Sequence, residues 1–81
     1  MMDERLQYMG RQAETELFVR EMRMRLESLR DSLRELLDPF EKIEFLDTAR
    51  IITLSAEFSR LHIDYVAALQ QLAAIRKILG R

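Results

Sequence analysis

Cysteine and tryptophan are absent from this chain, proline and histidine occur once each, and glycine occurs twice. Each scarcity closes off a class of protein. Without cysteine there is no disulfide scaffold and no thiolate-built zinc site. With one proline and two glycines, the chain is neither collagen-like nor a Pro/Gly-rich disordered segment, and no glycine-rich phosphate loop can be assembled. Neither sign of charge dominates: thirteen Lys+Arg stand against fourteen Asp+Glu, for a formal net charge of -1. A strongly basic field for nucleic acid is therefore missing. Long apolar runs are missing too. The longest stretch without a formal charge, Tyr65 to Ile75, contains Gln70 and Gln71 and falls short of the roughly 20 residues that a membrane span needs. Met1-Met2-Asp3-Glu4 is acidic and has no apolar core, so no secretory signal is expected, and the cytoplasm is the default location.

What remains is a chain of 81 residues, 48% hydrophobic and 33% charged, which is enough for one small domain. A chain this short removes only about 60–65% of its unfolded surface from water, and burial then barely offsets chain entropy. With disulfide and zinc staples unavailable, oligomerisation is the expected route to stability.

The single proline divides the sequence. Asp38-Pro39-Phe40-Glu41 has the form of a helix start. Asp38 can accept from free N–H groups, Pro39 suits the first helical position, and Glu41 faces the positive end of the dipole. The residue before a proline disfavours the α conformation, so a first helix is expected to end near Leu37. Its apolar residues Val19, Met22, Leu26, Leu29, Leu33 and Leu36 alternate steps of 3 and 4, the mark of a heptad seam. Leu6, Met9 and Ala13 keep such steps in a shifted phase, and Gly10 costs a helix about 1 kcal/mol. Helix 1 is accordingly expected over 12–37, with 1–11 frayed or separately oriented.

Helix 2 is expected over 39–79, after a turn at 38–39. Ile51, Leu54, Phe58, Leu61, Tyr65, Ala68, Leu72, Ile75 and Leu79 form an unbroken seam, and Gly80 supplies a stop. Asp47-Thr48 is a second capping site, so a kink near residue 47 is an alternative to one continuous helix. Together these predict an all-α antiparallel helical hairpin. Its rods would be about 39 Å and about 60 Å long at 1.5 Å per residue, with no globular core of their own.

Helix 2 carries a second apolar stripe: Phe45, Ala49, Ile52, Ala56, Ile63, Val66 and Ala73, with Ser59 filling the gap. A helix apolar on two faces must bury the second one. Either one broad face packs within the monomer, or the second stripe meets another copy. The latter predicts a homodimer with a four-helix bundle architecture, and two-fold symmetry is the commonest closure.

Candidate chemistry is sparse. His62 has Phe58 and Ser59 before it and Val66 after it, so Glu-x-x-His and His-Glu-x-x-His are both absent. A boundary histidine with a structural hydrogen bond is the expectation. Ser28, Ser32, Ser55 and Ser59 have no acid–histidine companion at a suggestive spacing. No catalytic residue, cofactor or metal ligand is assigned. Helix 1 presents Glu16, Arg20, Arg23, Glu27, Arg30 and Arg34 along one side. Arg20, Arg23, Arg30 and Arg34 could contact phosphates, while the plain alternative is a solvated face with Glu16–Arg20 and Glu21–Arg25 pairs. The segment from Arg25 to Leu37 is similar to the first helix of small all-helical chorismate mutases. That similarity covers one amphipathic Arg/Leu helix, and no third helix is evident to complete their pocket.

The favoured function is a non-enzymatic protein-interaction module, an adaptor or small chaperone-like scaffold that binds itself and another helical protein. A nucleic-acid-binding regulator using the arginine stripe is the first alternative. A helical enzyme with its site at a subunit interface is the second.

Overall fold

Asp3 begins the first helix by accepting a hydrogen bond from the Arg5 N–H at 3.0 Å. The computed structural model describes residues 3–80; Met1 and Met2 of the expected N-terminal segment, and Arg81, lie outside the described residues. Helix α1 then runs unbroken over Glu4–Leu36. The frayed segment expected before residue 12 is, from Glu4 on, the first two turns of this helix. The reason lies in its heptad register. Tyr8, Gln12 and Thr15 continue the Val19–Met22 seam backward and are half-buried, while Leu6, Met9 and Ala13 face outward. That seam and the Asp3 cap offset the cost of Gly10.

The chain turns at Asp38-Pro39, but helix does not resume there. The Asp38 carboxylate accepts from the Phe40 N–H at 3.0 Å, and its carbonyl from the Glu41 N–H at 3.1 Å, which closes a turn. Lys42 is extended, Ile43–Phe45 makes one 3-10 turn, and Leu46 is extended again. Helix α2 spans Thr48–Ile78, capped by Asp47, whose carboxylate accepts from the Arg50 N–H at 3.1 Å. The continuous helix expected over 39–79 does not form: the break falls at Asp47, the second capping site, and one 3-10 turn rather than a helix stands ahead of it. Length explains it. Starting at Thr48, the 31 residues of α2 match the 33 of α1. Continued back to Pro39, the helix would overrun α1 by roughly 12 Å with nothing to pack on. At the other end, Gly80 has φ 76° and its N–H donates to the Lys77 carbonyl at 3.1 Å, the left-handed stop expected of it.

The two helices pack antiparallel, and the predicted seams meet. Val19, Met22, Leu26 and Leu29 of α1 are buried, as are Ala68, Leu72, Ile75 and, at the end of α2, Leu79. Toward the turn, Leu33, Leu36, Ile51, Leu54, Phe58 and Leu61 are only half-buried. Among the described residues the secondary structure is entirely helical, and no helix is long and apolar enough to cross a membrane.

The result is a rod of 64 × 19 × 14 Å with a radius of gyration of 18.2 Å. A compact domain of this length would have a radius near 12 Å. The chain exposes 6586 Å², whereas a compact monomer of its mass exposes about 5,100 Å². The surplus, about 1,500 Å², is what this fold leaves in water.

Candidate interaction surface

Helical geometry separates the two stripes of α2. At about 100° per residue, the centre of the second stripe lies about 150° from the centre of the seam, nearly opposite α1. Ile52 and Ile63 are accordingly 68% and 67% exposed. Val66 is exposed beside them, as are Ala49, Ala56 and Ala73. The structure thus holds Ala49, Ile52, Ala56, Ile63, Val66 and Ala73 on one uncovered face. Phe45 is exposed too, but it lies in the 3-10 turn ahead of α2 and so leaves the helical register of the stripe. The alternative that this face packs within the monomer does not hold, because α1 is fully engaged on the opposite side.

Further apolar side chains stand in water at both ends of the rod. Phe40 and Ile43, in the loop between the helices, are 94% and 81% exposed. At the open end Leu6, Met9 and Ile78 are exposed as well. The outward face of α1 adds Leu17 and Met24. With Leu6, Gly10 and Ala13 they follow steps of 4, 3, 4 and 7. Reading the seam backward from Val19 would have disclosed this outward stripe, because it assigns Tyr8, Gln12 and Thr15 to the buried side.

The charge stripe of α1 lies along the groove where one side of α1 meets α2. Glu16, Arg20 and Arg23 line it with Leu69 and Arg76 of α2, and Arg23, Glu27 and Arg30 continue it beside His62 and Tyr65. Neither ion pair expected within α1 forms among the described residues. Glu16 instead accepts from Arg76 at 3.2 Å, and Arg25 donates to Glu57 at 2.6 Å. One member of each expected pair thus finds its partner across the seam. All four side chains are substantially solvated, so each pair contributes at most about 1 kcal/mol.

Arg23 makes the polar contact that sequence reasoning missed. Its Nε donates to the Tyr65 hydroxyl at 2.8 Å, and its guanidinium carbon sits 5.8 Å from the Tyr65 ring centroid. That hydroxyl, with a smaller contribution from Glu27, holds the Arg23 guanidinium above its ordinary pKa. Seam spacing marked Tyr65 as core, and its half-buried ring packs against Val19, Ala68 and Leu72. Only the hydroxyl at the ring's edge reaches the charge stripe, as amphipathic side chains do. Arg20 and Arg34 face water, and Arg30 approaches Asp31 at 3.7 Å.

His62 lies at the surface with its ring stacked on Phe58, centroids 6.0 Å apart and planes inclined by 14°. The structural hydrogen bond expected of it is not made among the described residues; the ring of Phe58 is its partner instead. No three His, Asp or Glu side chains among the described residues converge on a point where a metal ion could sit. Comparison of the chain with protein-family models, with curated proteins and with solved structures gives no match.

Proposed function

We propose that this chain is a non-enzymatic protein-interaction module, an adaptor or small chaperone-like scaffold, that works as a homo-oligomer. One observation carries the reading: the face of α2 turned away from α1 is apolar at helical spacing, with Ile52 and Ile63 about two-thirds exposed. Apolar side chains held in water contribute nothing to a monomer. Exposed patches beyond a few hundred Å² mark interaction sites. The surplus of about 1,500 Å² exceeds the ~800 Å² that each partner buries in a standard interface. It is enough for a second copy, making a four-helix assembly, and leaves surface for a further helical partner. Sedimentation equilibrium from micromolar to near-millimolar concentration tests this. Twice the chain mass of 9.7 kDa is expected, and 9.7 kDa throughout would remove the reading.

The second reading, a nucleic-acid-binding regulator, is favoured by one observation. Arg76 of α2 lies in the same groove as Arg20 and Arg23, so three arginines from the two helices stand there against one acid, Glu16, which pairs with Arg76. Phosphate contacts strengthen as salt falls. Mobility shifts at low salt should then show retention that is lost when Arg20, Arg23, Arg30 and Arg34 are replaced by glutamine. No retention of the unaltered protein ends this reading.

A further inference from the structure

Given the homo-oligomer proposed above, we infer that the partner of the α2 stripe is the α2 of a second copy, running antiparallel, with Ser59 at the two-fold axis. Three features lead there. The first is which side of the hairpin is free to be buried. In a square bundle of two hairpins, each helix contributes the side it shares with its neighbour. The hairpin has two such sides: on α1 one carries the charge stripe from Glu16 to Arg30, and the other carries Arg11, Glu14, Glu21 and Arg25, the last paired with Glu57 of α2. A second copy therefore meets α2 alone, on the face opposite α1, and the four helices lie in a row with the two α2 helices in the middle.

The second feature is side-chain volume. The positions Ala49, Ile52, Ala56, Ser59, Ile63, Val66 and Gln70 follow alternating steps of 3 and 4, with Ile52 and Val66 each seven residues from Ser59. Antiparallel pairing about that residue sets Ile52 level with Val66, and brings Ala49 within one residue, about 1.5 Å, of the level of Gln70 and Ala56 equally close to that of Ile63. Small meets large in two of these layers, and the two aliphatic side chains of the third are close in size. Ser59 faces itself, where a short hydroxyl side chain fits a crossing and can bond to its mate. Parallel pairing would instead set Ala49 and Ala56 against themselves on either side of paired Ile52, and Ile63 against itself beyond Ser59. Voids and crowding would then alternate, and close-packed interiors tolerate neither. The antiparallel register also sets Arg60 near its own mate, but those guanidiniums are in water and screened.

The third feature is the ends of the rod. Antiparallel packing lays the loop of one copy, with Phe40 and Ile43 in water, beside the C-terminal end of the other's α2, where Ile78 is exposed. Charge agrees. The loop is acidic through Glu41, Glu44 and Asp47, and the last turn of α2 is basic through Arg76 and Lys77. Parallel packing would place the two acidic loops side by side.

The chain has no cysteine, so single-cysteine variants report contacts between copies without background. Ala49→Cys and Gln70→Cys, both at exposed positions, would be prepared with different affinity tags and oxidised separately and as a refolded mixture. The antiparallel register yields a disulfide-linked species carrying both tags in the mixture, and no linked species from either variant alone. Linked species from each variant alone would show parallel α2 helices and overturn the register while leaving self-association intact. An unaltered protein that is dimeric, with no linkage in any sample, would place the contact elsewhere and overturn the α2 pairing. An unaltered protein that sediments as a monomer would overturn the homo-oligomer reading itself, and the register with it.

Discussion

Ile63→Asp separates the energetics of association from those of the hairpin. Ile63 is 67% exposed in the single chain and faces away from α1. Fully burying an isoleucine is worth about 1.5–3 kcal/mol, so covering the exposed two-thirds is worth about 1–2 kcal/mol per copy. A symmetric dimer contains the site twice, for about 2–4 kcal/mol. At about 1.4 kcal/mol per tenfold, its dissociation constant should rise roughly 30- to 700-fold on the loss of burial alone. Desolvation of the new carboxylate pushes the change further.

Inside the hairpin the same substitution touches only helix propensity, a few tenths of a kcal/mol. Sedimentation equilibrium gives the dissociation constant. Far-ultraviolet circular dichroism, at a concentration where the variant is monomeric, gives the helicity. The expected result is a monomer that keeps most of its helix. If association were unchanged, the stripe would not be the interface. If helicity collapsed, Ile63 would belong to a core on which the monomer depends, and the assignment of opposite faces of α2 to opposite roles would fail.

Leu29 is 2% exposed at the centre of the seam. Leu29→Ala should therefore cost about 2–4 kcal/mol, read as a lower urea midpoint with the stripe untouched. Gly10 lies in the interior of α1, and a methyl group added there would meet nothing within 4 Å. Gly10→Ala should stabilise by about 0.5–1 kcal/mol and raise helicity; a loss of stability would mean that the N-terminal turns are not helical in solution. Asp47→Ala removes the side chain that caps α2 and should cost about 1 kcal/mol. An unchanged urea midpoint in that variant would argue that α2 starts elsewhere.

The seam was legible because heptad spacing is a statement about geometry: residues at steps of 3 and 4 share a face whatever else the chain does. Val19 through Leu36 and Ile51 through Leu79 were paired on that ground, and every one of them is buried or half-buried. Where α2 begins was not legible in the same way. Pro39 and Asp47 each offered a local start, and local signals could not rank them. The choice depends on the length of α1, a property of a distant segment. The start of α1 was hidden for a related reason. Gly10 reads as a weakness in isolation, but Tyr8, Gln12 and Thr15, two of them polar, hold its turns against α2. Polar residues at seam positions escape a search for apolar periodicity.

The candidate surface was more visible than its neighbours because it violates what a monomer requires. A hairpin needs one apolar face per helix, and α2 has two. Once α1 is seated on the seam, no described segment reaches the other face: residues 37–47 are used in the reversal, and Glu4–Leu36 is a single unbroken helix on the far side. The excess apolar surface is therefore not a packing error that a different monomer topology would cure. Among the described residues, two helices of matched length leave no third element to cover this face. Smallness and the second stripe are the same fact seen from two levels. A hairpin too short to enclose all its apolar residues leaves one set of them aligned along the free face of α2.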